Sequence, residues 1–326
     1  MDLRELEHGA PLDLVLLVRE ASRRSRPDGD EFLRLTLADR SQQVVAMVWD
    51  DAAAVAEVAV RGAAVRVVGR FEVHERYGRQ IAIERVEPVA PADVDYAALV
   101  PGPERPVEQI ELRFRGLIDR TEDRWLRLLL ERVFAADGAF WERFRLAPAA
   151  KHFHEAYPHG LLDHTVRVAE AVEALVPIFS GVDRDVAVAG SLLHDIGKAQ
   201  AYTADPVAPD MTELGRLEGH IVIGYEIVRR VLGGIEGFPE RTARSIRHIV
   251  LSHHGKLDYG SPVVPQTREA ALVHHVDDLA AQLGSFDRLQ RELADGAQWS
   301  AFDRGVGGAA YFGPARDAGE ADPQVA

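Results

Sequence analysis

Hydrophobic positions in the first ninety residues recur at strand spacing, and from about residue 109 onward they recur at helical spacing. An apolar run with polar breaks covers Leu12 to Glu20. Phe32, Leu33, Leu35 and Leu37 mark a second strand, Val44 to Trp49 a third, Ala64 to Val73 a fourth and Gln80 to Val86 a fifth. Between the third and fourth, the stretch DDAAAVAEVAV predicts a short Ala-rich helix capped by Asp50 or Asp51. Pro88, Pro91, Pro101, Pro103 and Pro106 are too closely spaced for one packed element, and residues 91–108 read as a Pro-rich linker. Beyond it, Ile110, Leu117, Trp125, Leu128, Leu129 and Val133 repeat at helical spacing, and helices with Gly- and Pro-marked turns continue to about 298. The tail, 299–326, is Gly/Ala-rich from Gly305 and carries Asp317, Glu320 and Asp322; its end is expected to be disordered.

Five strands with one helix after the third is the order of a small Greek-key barrel, the OB-fold. The expected fold class is multidomain: an N-terminal all-β OB-fold barrel over 1–90 and a C-terminal all-α domain over 109–298. Such barrels bind single-stranded nucleic acid across one face and through the loops after strands 1 and 4. The first of those loops is expected to hold Arg23, Arg24 and Arg26, and the second Arg76, Tyr77 and Arg79. Trp49, Phe32, Phe71 and Tyr77 offer stacking surfaces, with core packing as the alternative for Trp49 and Phe71.

Composition narrows the chemistry. The chain has 326 residues, and its formal net charge of −14 argues against coating nucleic acid through bulk charge. Polynucleotide binding therefore requires the arginines to line one groove. The acid excess is concentrated in the second half: residues 151–326 carry 16 basic and 25 acidic side chains. There are no cysteines, which excludes disulfide scaffolds, cysteine-ligated metals and thiol nucleophiles. With no long apolar run and an acidic N-terminus, a cytoplasmic protein without membrane partners is expected. The three lysines, Lys151, Lys198 and Lys256, each lie within a few residues of a histidine cluster, where a compact ammonium suits phosphate or metal-bound water.

The histidines carry the strongest signal. His164 follows Leu161 and precedes Val168 on one helical face. His194 continues the line of Ala187 and Gly190, with Asp195 beside it. His220 shares a face with Ile223, Gly224 and Ile227, His253 with Ile246, Ile249 and Val250, and Asp277 with Ala270, Val273, Ala280 and Gly284. A core-facing Asp is costly to bury unless it is paired or metal-bound. Four imidazoles and two carboxylates aimed at one core make a ligand set for two divalent ions with one bridging carboxylate.

These residues carry a resemblance. HEAYPHGLLDHT (154–165), SLLHDIGK (191–198), LEGHIVIG (217–224), IVLSHHG (249–255), YGSPVVPQTREA (259–270) and HHVDDL (274–279) resemble the HD-domain metal-dependent phosphohydrolases. With the barrel, they are similar to the YhaM-type 3′→5′ exoribonucleases. The resemblance implies that His164, His194, Asp195 and Asp277 hold a first metal, and that bridging Asp195, His220 and His253 hold a second, with His254 an ambiguous neighbour. It implies two divalent ions, manganese first among them, although the ligand types also admit iron, cobalt or nickel. It implies hydrolysis of single-stranded RNA, or DNA, to nucleoside 5′-monophosphates by a metal-activated hydroxide, with Asp195 and Lys198 in catalytic roles. Tyr157, His159 and Lys256 are candidates to touch the terminal phosphate or ribose. His274 and His275 read as supporting residues. His159 departs from the family pattern, which has glycine there. Two alternatives stand beside this reading: a phosphodiesterase or nucleotidase for a small nucleotide, and a non-catalytic oligonucleotide-binding protein.

Overall fold

The computed structural model describes residues 2–25, 31–74, 78–150, 155–203, 205, 207, 209–293 and 296–313. Five strands close into a barrel in the order β1-β2-β3-β5-β4: β1 (Pro11–Ser25), β2 (Glu31–Ala38), β3 (Gln43–Val48), β4 (Ala64–His74) and β5 (Gly78–Pro88), with helix α1 (Ala52–Val58) between β3 and β4. The order and the helix make it the OB-fold expected. Period-two alternation does the sorting. Leu33, Leu35 and Leu37 fill the interior, while Arg34 and Thr36 face outward. Closure comes from a short parallel pairing of β3 with β5, Val45 opposite Gln80 and Met47 opposite Ala82. Asp51 sits at the start of α1 as expected, but in the left-handed conformation (φ 53°) and without a side-chain capping bond.

The Pro-rich segment is better packed than its composition suggests. A 3₁₀ turn (Pro91–Asp93) and helix α2 (Tyr96–Leu99) bring Leu99 and Val100 into a small apolar cluster with Leu17 and Ala64 of the barrel. Val207, which belongs to the helical domain, joins the same cluster and ties the two domains together.

That helical domain comprises α3 (Val107–Asp119), α4 (Arg124–Val133), α5 (Ala139–Leu146), α6 (Gly160–Leu175), α7 (Arg184–Leu193), α8 (Lys198–Ala201), α9 (Glu213–Gly233), α10 (Glu240–Ser252) and α11 (Arg268–Glu292). Asp123, Asp183, Thr212 and Thr267 cap α4, α7, α9 and α11, each accepting from a backbone amide of the first turn. One continuous core runs from Ile110 and Phe114 through Leu161, Leu192 and Ile249 to Val273. No described helix is long and apolar enough to cross a membrane. The sequence pattern did not anticipate a hairpin after α11: β6 (Trp299–Asp303) pairs with β7 (Gly308–Tyr311), and Arg288 of α11 holds Asp303 at 2.6 Å. Residues 314–326 lie outside the described set.

Candidate metal centre and nucleic-acid face

Four helix ends and faces converge on Asp195. It follows α7 in the turn leading to α8 and is almost fully buried. Its two oxygens face different partners. Oδ2 lies 3.4 Å from His194 Nε2 and 3.7 Å from His164 Nε2. Oδ1 lies 3.4 Å from both His220 Nε2 and His253 Nε2. Asp277 of α11 closes the first group, with Oδ1 3.0 Å from His164 Nε2 and 3.5 Å from His194 Nε2. His254 joins the second group, so that His164, His194, Asp195 and Asp277 form one donor set and Asp195, His220, His253 and His254 the other, all donor atoms of a set lying within 4.8 Å of one another.

Close helix packing makes the convergence possible. A Cβ on Gly190 would overlap Ile249 of α10, and one on Gly197 would overlap the carbonyl oxygen of His220. The small residues next to His194 are therefore required by backbone approach. Helix α9 is broken at Gly219 (φ 74°, ψ 150°), and His220 opens its second segment.

The imidazoles are oriented from behind. His194 Nδ1–H donates to Ser191 O (2.6 Å), His253 Nδ1–H to Val250 O (2.8 Å) and His254 Nδ1–H to Tyr259 O (2.7 Å). Each bond leaves the Nε2 lone pair for the cluster, the tautomer a metal ligand needs. His274 anchors the other end of this arrangement, donating from Nδ1 to the carbonyl of His253 at 2.7 Å, with its ring against Gly255.

The donor set fits a divalent cation. His194 Nε2, Asp195 Oδ1, His220 Nε2 and His253 Nε2 are buried without a hydrogen-bond partner among the described residues. Buried polar atoms are nearly always paired, and four left open across the two donor sets, one in the first and three in the second, call for cations there. The electrostatics agree. Burial lowers His220 well below the usual imidazole range and, with the neighbouring His253, takes His254 down to about 4. Burial acts the same way on His164 and His194, but the carboxylates of Asp277 and Glu155 bring His164 up to about 9, and those of Asp195 and Asp277 bring His194 up to about 10. Against its own burial, Asp195 is held well below the usual carboxylate range by Lys198 and His194.

Lys198 is committed to this centre: its Nζ lies 2.6 Å from Asp195 Oδ2. The other substrate-facing candidates separate. Tyr157 is buried, and its hydroxyl donates to Asp163 Oδ2 at 3.1 Å; burial, reinforced by Asp163, raises it above its ordinary value. His159 sits just before α6 with φ 66°, the left-handed conformation that glycine adopts most readily. Its Nδ1–H donates to Arg145 O at 2.7 Å, so the ring braces a turn. Lys256 is exposed two residues after His254, with Nζ 5.1 Å from the centroid of the Tyr259 ring.

One residue of this centre escaped the sequence reading. Glu155 is buried, with Oε2 3.7 Å from His164 Nδ1 and Oε1 3.5 Å from Arg167. Behind His164 stands a carboxylate at ion-pair distance, where His194, His253 and His254 are hydrogen-bonded to carbonyls. Nothing in the pattern marks Glu155 as buried, because it precedes α6 and belongs to no periodic face.

On the barrel, Arg23 and Arg24 are exposed, yet they belong to β1 itself, opposite Leu33 and Phe32, because the strand runs on to Ser25. Arg26, Arg76 and Tyr77 lie outside the described residues. Phe71 is fully buried, whereas Trp49 is 49% exposed and packs against Phe32, the rings tilted by 37° with 4.9 Å between centroids. Arg79 Nη2 donates to the carbonyls of Arg4 and Leu6, both at 3.1 Å, and its guanidinium covers Phe71. It clasps the N-terminal segment onto the barrel.

A five-stranded OB barrel joined to a helical domain with a shared-carboxylate His/Asp cluster defines a nucleic-acid-type binding module coupled to a metal-dependent hydrolase domain. The sequence relationships fall in the same class. Residues 161–282 match the HD domain family model, and this part of the chain is an HD domain. Over nearly its whole length the chain is similar to proteins named 3′-5′ exoribonuclease YhaM. It is 28% identical over 296 residues to that of Bacillus pumilus (strain SAFR-032), covering 88% of this chain and 90% of that protein. It is 28% identical over 295 residues to that of Bacillus subtilis (strain 168), covering 89% and 91%. Among solved structures, the second single-stranded DNA-binding protein (SSBb) of Mycobacterium smegmatis is similar over 26% of this chain and 94% of that chain, at 19% identity and a TM-score of 0.23.

Proposed function

We propose that this chain is a metal-dependent 3′→5′ exoribonuclease that hydrolyses single-stranded RNA to nucleoside 5′-monophosphates. The observation that carries the reading is the division of Asp195 between two donor sets, one oxygen to each. Two divalent ions, manganese first among the candidates, would be held by His164, His194, Asp195 and Asp277 on one side and by Asp195, His220, His253 and His254 on the other. Bound there, such ions supply Lewis acidity toward the phosphoryl oxygens and bring the pKa of water down to about 7.

The chain's own groups prepare this chemistry. The Nδ1–H bonds of His194, His253 and His254 fix their Nε2 lone pairs, so no reorientation is needed when the site fills. Lys198 keeps Asp195 ionised and brings a cation to the side of the cluster where phosphate charge accumulates. Water adds to phosphorus as the bond to the 3′-oxygen of the penultimate nucleotide breaks. The shortened strand leaves with a free 3′-hydroxyl. The exposed Trp49, braced by Phe32, offers the barrel an aromatic surface for bases further upstream.

Digestion of a 5′-labelled oligoribonucleotide with manganese tests the reading. A ladder receding from the 3′ end, release of nucleoside 5′-monophosphates and silence in EDTA are expected. Internal cuts, or no turnover with any divalent ion, would overturn it.

A further inference from the structure

Between the barrel and the helical domain lies a cavity of about 850 Å³, within the range of ligand sites. The outward faces of β2 and β3 form one wall; the segment before α6 and the C-terminal end of α11 form the other. Its charge is opposite to that of the chain. Arg19, Arg34, Arg40, Arg79, Arg288 and Arg291 line it, against only three acids, Asp39, Glu155 and Glu292. Those acids are occupied. Asp39 accepts from the amides of Leu3, Ser41 and Gln42, Glu155 lies beside His164 and Arg167, and Glu292 accepts from Arg288.

Four of the arginines make no close ion pair among the described residues, although Arg291 feels Asp287 one turn earlier on α11. Among the described residues, Arg19, Arg34, Arg40 and Arg291 have no ion-pair partner, in a chain where Arg66, Arg113, Arg120, Arg145 and Arg229 all do. Arg19 is the clearest case. The β1–β2 register passes from Val18 opposite Leu37 to Glu20 opposite Thr36, so Arg19 is the extra residue of a β-bulge. Bulges of this kind re-aim a side chain. Its Nη1 reaches the carbonyl of Val207 at 3.4 Å, but its Nε is buried with no hydrogen-bond partner, and burial next to Arg61 lowers its pKa. A desolvated guanidinium without an anion is an unstable arrangement unless an anion arrives.

On the far wall, Arg288 and Arg291 stand 11 and 14 residues after Asp277 on α11, which returns them to nearly the same helical face. At 1.5 Å per residue, Arg288 lies ~16 Å along the axis from the metal cluster, a distance spanned by about five stacked nucleotides or fewer extended ones.

We infer that this interdomain cavity binds the phosphodiester backbone of a single strand a few nucleotides upstream of the 3′ end held at the histidine cluster. The proposal rests on the exonuclease reading for the direction of the strand, but not for binding itself. It relocates the backbone contacts from the loop arginines to Arg19, Arg34, Arg40 and Arg291. It also answers the objection of the net charge, because the basic groups are gathered in one recess.

Binding of a labelled oligoribonucleotide of about twelve nucleotides, long enough to reach from the cluster onto the barrel, is measured by fluorescence anisotropy in EDTA, where nothing is cleaved. Arg34→Glu and Arg291→Glu are each expected to weaken binding roughly tenfold. Arg34→Gln and Arg291→Gln should each reduce the salt dependence, log K against log salt, by about 0.7. Arg230→Glu, on the exposed side of α9, should bind as the wild type does. Unchanged affinity and salt slope in the cavity variants, or no binding by the wild type, would overturn the proposal. Loss of binding in these variants of a protein that cleaves nothing would instead uphold the cavity and sink the exonuclease reading. Normal binding by variants of a cleaving enzyme would do the reverse.

Discussion

Lys198 Nζ and Asp195 Oδ2 lie 2.6 Å apart, one helical turn apart in sequence, both nearly sealed from solvent. Removing one partner of such a pair leaves the other buried and unmatched, at a cost of about 3–5 kcal/mol. Lys198→Met should therefore lower the stability of the metal-free protein by that order. A bound divalent cation supplies the missing positive charge, so saturating manganese should recover much of the loss. Thermal unfolding with EDTA and with manganese reads the difference; an equal loss in both would show that Lys198 does not balance Asp195.

Asp195→Asn should reduce hydrolysis more than a hundredfold, because the amide presents only one acceptor oxygen to two donor sets and no longer carries a charge. The variant keeps the volume of the side chain, and far-UV circular dichroism should be unchanged. Near-wild-type turnover would mean that the shared carboxylate is not the centre of the reaction.

Glu155→Gln tests orientation from behind. Loss of a partner that orients a metal-ligating histidine typically weakens metal affinity 10–100-fold. Titration calorimetry should show that loss at one site only, the His164 set, because the second set is oriented by Val250 and Tyr259 carbonyls. Equal weakening at both sites would assign Glu155 a general structural role.

Acid should destabilise the turn before α6. Burial holds the His159 pKa below its ordinary value, outweighing the bond to the Arg145 carbonyl. The folded state thus binds the proton less readily than the unfolded chain. The contribution is complete above the unfolded value of about 6.5 and is lost as pH falls through the lower folded value. His159→Asn tolerates the left-handed backbone and removes the titration. Between about pH 7.5 and about pH 5, the wild type should lose more Tm than the variant. The other histidines are common to both and cancel in the comparison.

The sequence reading succeeded where periodicity does the work. A period of two identifies Leu33, Leu35 and Leu37 as interior and Arg34 as exterior, and a period of 3.6 places His164, His220, His253 and Asp277 on core-facing stripes. Periodicity is silent where a side chain's partner comes from a distant segment: the carbonyls of Arg4 and Leu6 that hold Arg79 lie more than seventy residues away. Trp49 could be core or surface by pattern, and only its position just past β3, tilted against Phe32, leaves it exposed.

By itself the sequence determined which residues turn inward, since side-chain direction follows from local repeat and burial of apolar stripes. It thereby gave the order of barrel and helices and most of the histidine cluster, leaving His254 ambiguous until the structure placed it beside His220 and His253. Only the tertiary structure decided which oxygen of Asp195 faces which imidazole, that Glu155 stands behind His164, and that arginines from β1, β2 and α11 share one cavity. Those relationships depend on how closely separate helices and strands approach, and no local pattern encodes the distance between two segments a hundred residues apart.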